Sequence, residues 1–268
     1  MRSLFISLFL LCPVLLLADT TVTIRWVTTD SHKDAKAQKA AVEDAIEYRH
    51  GNMRRKDDVS ANGMNVPISQ IANCQSRTGF ILDLSARQYR SYKVVSFAAP
   101  EQIKQYLSKN SQNVVQVESH TVDTGERRVI FGYTAKHLIT TTKVPASRTN
   151  KGGEEVMDGW FADHEGLDTE CMPDYARSEP IYAIGTGLVS YPQVPEFHHS
   201  GPLPSGLPLK VTLRITQFGA DNGANRTITV EKTVEKISDA PIKPALFELP
   251  KGLRENPRLL RGSSVSTR

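Results

Sequence analysis

Two short runs concentrate side chains that hold metals or move protons: Asp163-His164-Glu165 and His198-His199, the latter being two of seven histidines. Imidazole nitrogens and carboxylate oxygens are ordinary zinc ligands, so both runs invite a metal-site reading. Adjacent residues of an extended chain point to opposite faces, however, and neither run turns all its groups toward one ion. There is no His-Glu-x-x-His helix and no paired Cys-x-x-Cys, so no metal and no other cofactor is assigned. Nucleophilic chemistry has no better footing: no Gly-x-Ser-x-Gly elbow occurs, and no glycine-rich loop leads into a helix to cradle phosphate. Asp158, Asp163 and Glu165 surround Trp160, which suits a sugar site, but a strand tryptophan more often packs in a core. Arg54-Arg55-Lys56, followed by Asp57-Asp58, reads as charge that resists edge-to-edge strand pairing, with contact to an anion as the alternative. No catalytic residue is assigned. The competing enzyme reading is a secreted metal-dependent hydrolase built on Asp158, Asp163, His164 and the His198-His199 loop.

The amino terminus carries an address. Residues 1–18 combine Arg2 with an apolar run from Leu4 to Leu17, and the small Ala18 stands before Asp19, as in an export signal cleaved near Ala18. Lipid attachment at Cys12 is the alternative, although Leu10 and Leu11 are bulky for such a site. No later segment approaches the roughly 20 apolar residues of a membrane helix, so the expected mature chain is soluble, periplasmic or extracellular. With Cys12 removed, Cys74 and Cys171 remain, and an even pair in an oxidising compartment favours one disulfide over two buried thiols. That bond would close a loop of about 98 residues, with a gross value near ~4.7 kcal/mol from chain entropy.

The elements that must position these groups are strands. Of 268 residues, 39% are hydrophobic and 23% charged, with a net charge of +4, which excludes disordered, collagenous and coiled-coil chains. Val22, Ile24 and Trp26 alternate with Thr21, Thr23 and Arg25, and Leu209, Val211, Leu213 and Ile215 alternate with Lys210, Thr212, Arg214 and Thr216. Phe80, Leu82 and Leu84 share one parity, as do Val115 and Val117. Val129, Phe131 and Tyr133 open a longer segment that runs through Leu138 and Ile139 to Thr142. Such alternation buries one face and wets the other, which predicts antiparallel sheet. Gly51-Asn52, Asp123-Thr124-Gly125 and Asp221-Asn222-Gly223 read as the turns between strands. Pro100, Glu101, Ile103, Tyr106 and Leu107 predict a short helix near 100–109, and the Ala/Lys-rich residues 33–42 a loop or frayed helix. Five prolines within 191–208 predict an irregular crossing loop. The expected organisation is a signal over 1–18, one β-rich domain over 19–255 and a basic, flexible tail over 256–268. In residues 251–268 Lys251, Arg254, Arg258, Arg261 and Arg268 face Glu255 alone. No basic stripe is interleaved with aromatics, so nucleic acid is not an expected partner.

A family pattern runs through these segments in order. Glu47-Tyr48-Arg49-His50-Gly51-Asn52-Met53-Arg54-Arg55 resembles the strand, glycine, x-Met-Arg opening of an exported bacterial family of unknown function. Phe80-Ile81-Leu82-Asp83-Leu84-Ser85-Ala86-Arg87-Gln88-Tyr89 resembles its second marker, and Gly125 to His137 its Gly-Tyr-x-x-x-Lys/His strand. Asp158-Gly159-Trp160-Phe161 is similar to its tryptophan strand, and Ala245-Leu246-Phe247-Glu248-Leu249-Pro250-Lys251-Gly252 to its closing phrase. The resemblance covers about residues 20–255. It implies the fold of the periplasmic lipoprotein carriers, a strongly curved antiparallel sheet or half-barrel whose helices close an apolar hollow. The expected class is therefore mainly β (α+β), with one or two short helices. The expected function is non-enzymatic binding of a lipid or apolar small molecule, with Val22, Ile24, Trp26, Phe80, Leu82, Val211, Leu213 and Ile215 lining the hollow. The same residues packing a closed core, in a module that binds another envelope protein or plays a structural part, is the alternative.

Overall fold

The computed structural model describes residues 19–31, 40–61, 64–93, 114–146, 151–162, 194–221 and 223–259. In chain order the strands are β1 (Thr20–Asp30), β2 (Ala41–His50), β3 (Met53–Ala61), β4 (Met64–Asn73), β5 (Thr78–Asp83) and β6 (Gln88–Lys93). They continue as β7 (Val114–Ile130), β8 (Tyr133–Val144), β9 (Gly153–Ala162), β10 (Val194–Ser200), β11 (Leu207–Asp221), β12 (Ala224–Ser238) and β13 (Arg254–Glu255). All thirteen belong to one open sheet, ordered β10-β7-β8-β9-β11-β12-β1-β2-β3-β4-β5-β6-β13. Pairing is antiparallel throughout the interior, and the two edge pairs, β10–β7 and β13–β6, are parallel.

Short turns explain the antiparallel interior. Gly51, at φ 52°, opens the two-residue link from β2 to β3. The links from β4 to β5 and from β5 to β6 repeat one device. Asn73 Oδ1 accepts the N–H groups of Gln75 (2.9 Å) and Ser76 (3.0 Å), and Asp83 Oδ1 accepts that of Ala86 (2.8 Å). Each of these side chains stands in for a backbone acceptor at the turn it starts.

The sheet is curved. A flat sheet would hold β8 and β12, three strand spacings apart, roughly 14 Å from each other. Yet Tyr133 Oη at the start of β8 donates to Asp239 Oδ2 just beyond β12 at 3.1 Å. Ala135 and Ala162 likewise share a buried cluster with Val22, Ile24 and Val234.

Several local expectations are corrected. Among the described residues the helical content is a single 3-10 turn, Pro244–Phe247, so the expected short helices are not part of the described fold. The helix expected at 100–109 lies outside the described residues. So do 32–39, and Ala41 and Val42 from the Ala/Lys-rich segment open β2. Asp123-Thr124-Gly125 is a bulge inside β7 rather than a turn before a strand. The β7–β8 register shifts between Asp123 and Arg127, and Asp123 accepts the Gly125 N–H at 2.9 Å and both guanidinium nitrogens of Arg127 at 2.8 Å. The segment read as continuous from Val129 to Thr142 is two strands. Phe131 and Gly132, at φ 52° and 82°, make the two-residue turn between them and leave Val129 74% exposed. The proline-rich stretch is not wholly irregular, since Val194–Ser200 forms edge strand β10 and Leu207 begins β11. An edge tolerates Pro195 because one side of that strand needs no donors.

Opposite residues of paired strands share a face, so the register sorts the core. Val22 and Ile24 lie with Val234, Lys232, Leu213 and Met157 on what is here termed the Val22 face. Phe80 lies opposite Ile71, Ile71 opposite Arg55, Arg55 opposite Tyr48, and Tyr48 opposite Thr21, all on the other side. Over β2–β6 that second face is sealed by the chain's own C-terminal strap. Ile242, Leu246, Phe247, Leu249 and Leu253 pack on Tyr48, Ile71, Phe80, Leu82 and Tyr89. Polar ties also hold the strap, among them Arg55 Nη1 donating to Leu246 O (2.7 Å), the Ile242 N–H to Asp19 Oδ2 (2.5 Å), and the Asn256 N–H to Tyr89 O (2.7 Å).

Candidate functional site

Six of the eight expected lining residues, Val22, Ile24, Trp26, Val211, Leu213 and Ile215, occupy the Val22 face. Val22 and Ile24 are fully buried in one cluster, against which Trp26 packs. Leu213 and Ile215 are buried in another with Val115, Val117, Leu138, Val144, Met157 and Phe161, and Val211 borders it. Phe80 and Leu82 lie on the opposite face under the strap, so the eight do not line one surface. Parity within a strand cannot relate one strand's inward side to another's; only register does.

Between the two apolar clusters the Val22 face carries charge. β12 presents Ile228, Val230, Lys232 and Val234 with one parity, so Lys232 interrupts an otherwise apolar stripe. Trp26 stands directly opposite it, and the ammoniums of Lys56 and Lys232 lie 4.9 and 5.7 Å from the centre of the Trp26 ring. Both distances are within cation–π range. Glu47 pairs across the sheet with Val22 on one side and Lys56 on the other, and is 5% exposed. Arg49, equally buried, donates from Nη2 to Glu47 Oε2 at 3.3 Å, while its Nε has no hydrogen-bond partner among the described residues. Arg54, opposite Arg49, donates to Met53 O at 2.9 Å and to Gly51 O. Lys56 also pairs with Asp58 at 2.7 Å.

The electrostatics follow from this crowding. Burial alone pushes the Glu47 carboxyl up, but the charges of Lys232, Arg49 and Lys56 and the Arg49 hydrogen bond outweigh it and hold the group below its usual range. For Lys232 burial is the largest influence and pulls the ammonium down, against the attraction of Glu47 and together with repulsion from Arg49 and Lys56. Lys232, Arg49 and Lys56 thus act together on Glu47, and Lys56 also pairs with Asp58; the other acid on this side of β2, Glu43, is exposed. The sequence contains one visible sign of this cluster, the lysine at an apolar parity position of β12. Glu47 and Arg49 have no local sign, because only the curvature and the neighbouring strands bury them.

Of the residues of the hydrolase reading, Asp158 lies on β9 and the His198-His199 pair on β10, two strands that are not neighbours in the sheet. Asp163 and His164 lie outside the described residues. His198 and His199 are neighbours on edge strand β10, where His198 bonds Gln116. Asp158 instead meets His137, whose Nε2 is 2.8 Å from Asp158 Oδ1 and whose Nδ1 is 3.1 Å from Thr124 Oγ1. That order imitates a nucleophile–imidazole–carboxylate relay, but Thr124 Oγ1 also accepts the Glu126 N–H and lies 3.3 Å from His137 O. The threonine therefore serves the β7 bulge. His137 stacks on Trp160 at 4.7 Å, and Arg128 lies over the same ring at 4.4 Å, beside a cleft of about 430 Å3 lined also by Asp158, Lys210, Thr212 and Arg214. Among the described residues no group of three or more His, Cys, Asp or Glu could hold a metal ion. Cys74 packs beside Ala72 and Tyr92, and Cys171 lies outside the described residues.

No family model and no curated protein matches the chain. Among solved structures it is similar to PNGF-II at 11% identity and a TM-score of 0.33, covering 88% of this chain and 32% of that one, so it spans about a third of that protein's length. It is also similar to the Mycobacterium tuberculosis lipoprotein LppX at 10% identity and a TM-score of 0.23, covering 83% of this chain and 88% of that one. Likenesses this weak carry no argument, and what the chain does must be argued from its own faces.

Proposed function

We propose that this protein is an exported, non-enzymatic component of the bacterial envelope that binds a lipid or apolar small molecule on the Val22 face of its curved sheet. One observation carries the reading. Val117, Leu138, Met157, Leu213, Val230 and Ile24, from six neighbouring strands, form an apolar stripe on one side of a single sheet; all but the partly buried Val230 are withdrawn from solvent, although no second sheet opposes them among the described residues. An acyl chain laid along such a stripe gains about 0.8 kcal/mol per methylene buried and requires no reactive group. The reading includes removal of residues 1–18 near Ala18, a domain over 19–255, a basic tail over 256–268, a Cys74–Cys171 disulfide and a periplasmic or extracellular location. A protein-interaction role is the second reading, favoured by the open sheet edges at β10 and β13.

Native mass spectrometry of protein purified from an expressing bacterium tests the first reading. A stoichiometric apolar adduct that organic solvent extracts, and that Leu213→Asp abolishes, is expected. Protein that carries no adduct and binds no long-chain probe after delipidation would reject lipid binding. Intact and non-reducing peptide masses from the same preparation give the cleavage point and the Cys74–Cys171 pairing. Fractionation of the same cells, with the chain recovered beside other periplasmic proteins or in the medium, tests the location; recovery in the cytoplasm would reject it.

A further inference from the structure

We infer that the cleft beside Trp160, on the face opposite Val22, binds an acidic saccharide. Lys210, Arg214 and Arg128 take its anionic group, and Asp158 and Thr212 take its hydroxyls. This second site shares no residue with the apolar stripe, and neither stands or falls with the other.

Strand register brings these side chains together. In β11 Lys210, Thr212 and Arg214 alternate with Val211, Leu213 and Ile215, so they share the face turned away from the apolar stripe. Across the β9–β11 pair Lys210 stands opposite Trp160, Thr212 opposite Asp158 and Arg214 opposite Val156. Arg128 comes from β7, beyond the intervening β8, and lies over the Trp160 ring at 4.4 Å. Together they line the cleft of about 430 Å3, a size that suits a small-molecule site with a few placed polar groups. Trp160 is 9% exposed and is stacked by His137, so it forms a fixed wall and not an open stacking platform.

The chemistry of the lining is mixed in a specific way: three cations and one acid. Arg128 has a long contact with Glu126 at 3.8 Å. Lys210 and Arg214 form no ion pair among the described residues, although Glu231 stands opposite Thr212 on β12. All three cations are exposed, so an anion reaches them from solvent without the burial of a lone charge. A guanidinium offers parallel N–H donors that a carboxylate accepts in pairs. Asp158 sets the rest of the ligand. A bare anion entering the cleft meets that carboxylate as a repelling neighbour, whereas a ligand hydroxyl meets it as an acceptor. Its Oδ1 is 2.8 Å from His137 Nε2 and its side chain is 54% exposed, so acceptor capacity remains for a ligand. The Thr212 hydroxyl directly across from it can donate and accept. An anionic group and several hydroxyls on one small polar frame are the features of an acidic sugar.

The test titrates the full mature chain by calorimetry with three probes: trigalacturonate, the neutral maltotriose and inorganic sulfate. Trigalacturonate is expected to bind at least about tenfold more tightly than maltotriose, as charge-assisted contacts imply. Lys210→Gln and Arg214→Gln, both at exposed positions, are each expected to weaken trigalacturonate about fivefold. Lys251→Gln, at an exposed position on the strap, removes the same charge elsewhere and is expected to change nothing. Asp158→Asn is expected to weaken trigalacturonate without weakening sulfate, because only the saccharide uses that carboxylate. Unchanged melting temperatures show that the variants are folded. Absence of trigalacturonate binding would overturn the site. Equal losses in Lys251→Gln and Lys210→Gln would reduce it to long-range charge and overturn it as well. Maltotriose as tight as trigalacturonate would overturn the role of the cations. Sulfate as tight as trigalacturonate, with both strengthened by Asp158→Asn, would make this a free-anion site and overturn the saccharide.

Discussion

Lys232 stands directly across the β1–β12 pair from Trp26, with its ammonium 5.7 Å from the ring centre. The pair joins a cation to an aromatic in a row with the partly buried Ile228 and Val230 and the buried Val234, and the nearby Glu47 carries the opposite charge. Glu47→Gln keeps the shape and removes that charge. It is expected to cost about 3 kcal/mol in urea denaturation, because breaking a buried ionic group strands the remaining partners. The carboxyl is held below its usual range in the fold, so it stabilises at neutral pH and the contribution is lost as pH falls below the ordinary carboxylate range. The variant should therefore show a flatter acid limb. An unchanged midpoint and limb would mean that the cations are balanced elsewhere.

The C-terminal strap should be an energetic part of the sheet rather than an appendage. Phe247 is 3% exposed and stacks on His50 at 5.9 Å. Phe247→Ala is expected to cost about 3 kcal/mol. Asp19→Asn, which weakens the acceptor for the Ile242 N–H and the His50 ring, is expected to cost about 1–2 kcal/mol. Burial pushes the Asp19 carboxyl up, but the Ile242 N–H and His50 together hold it below its usual range, so this tie too weakens as pH falls. Hydrogen exchange confined to 242–256 should rise in both variants. Exchange that rises equally across β7–β12 would show that the strap has no separate stability.

Two glycines at similar φ should respond very differently to alanine. Gly132, at φ 82°, has nothing within 4 Å of the site a Cβ would take, so Gly132→Ala should cost about 1 kcal/mol from backbone conformation alone. Gly201, at φ 85°, would place a Cβ 2.0 Å from Thr121 O. Gly201→Ala must push β10 from β7 as well, and a cost of about 3 kcal/mol is expected. Amide exchange over 194–200 reads the detachment. Equal melting temperatures for the two variants would contradict the close approach.

Asp123 should titrate abnormally low. Its carboxylate accepts both Arg127 nitrogens and the Gly125 N–H, which lowers its pKa to about 2. Carbon-detected NMR titration should find that value, and Arg127→Gln should return the group toward ordinary carboxylate behaviour. Because the folded-state value is depressed, the bulge clamp holds at neutral pH and is lost only as pH falls toward 2. A pKa near the ordinary carboxylate value for Asp123 in the parent protein would show that the clamp is broken in solution.

The β class and the inward parity of single strands were legible in the residues. Val22, Ile24, Leu213 and Ile215 alternate with polar neighbours, and a pleated chain has no other way to bury them. The hairpin at Gly51-Asn52 was legible for a similar reason, since its turn chemistry is local, as was the antiparallel succession of β11 and β12. The Asp123-Thr124-Gly125 bulge was read as a turn because an αL glycine beside an Asx acceptor serves both, and only pairing on either side tells them apart. Pro195 argued against a strand until its place at the sheet edge removed the need for a donor.

What tertiary structure alone decided is which strand faces join. The register separates Phe80 and Leu82 from Val22 and Leu213, although all four look equally inward along their own strands. It likewise brings Arg49, Lys56 and Lys232, spread over nearly two hundred residues of chain, to act on one buried carboxylate, Glu47. A strand's two-residue period encodes only in and out. Which insides become common depends on partners far away in sequence, and no local pattern records that choice.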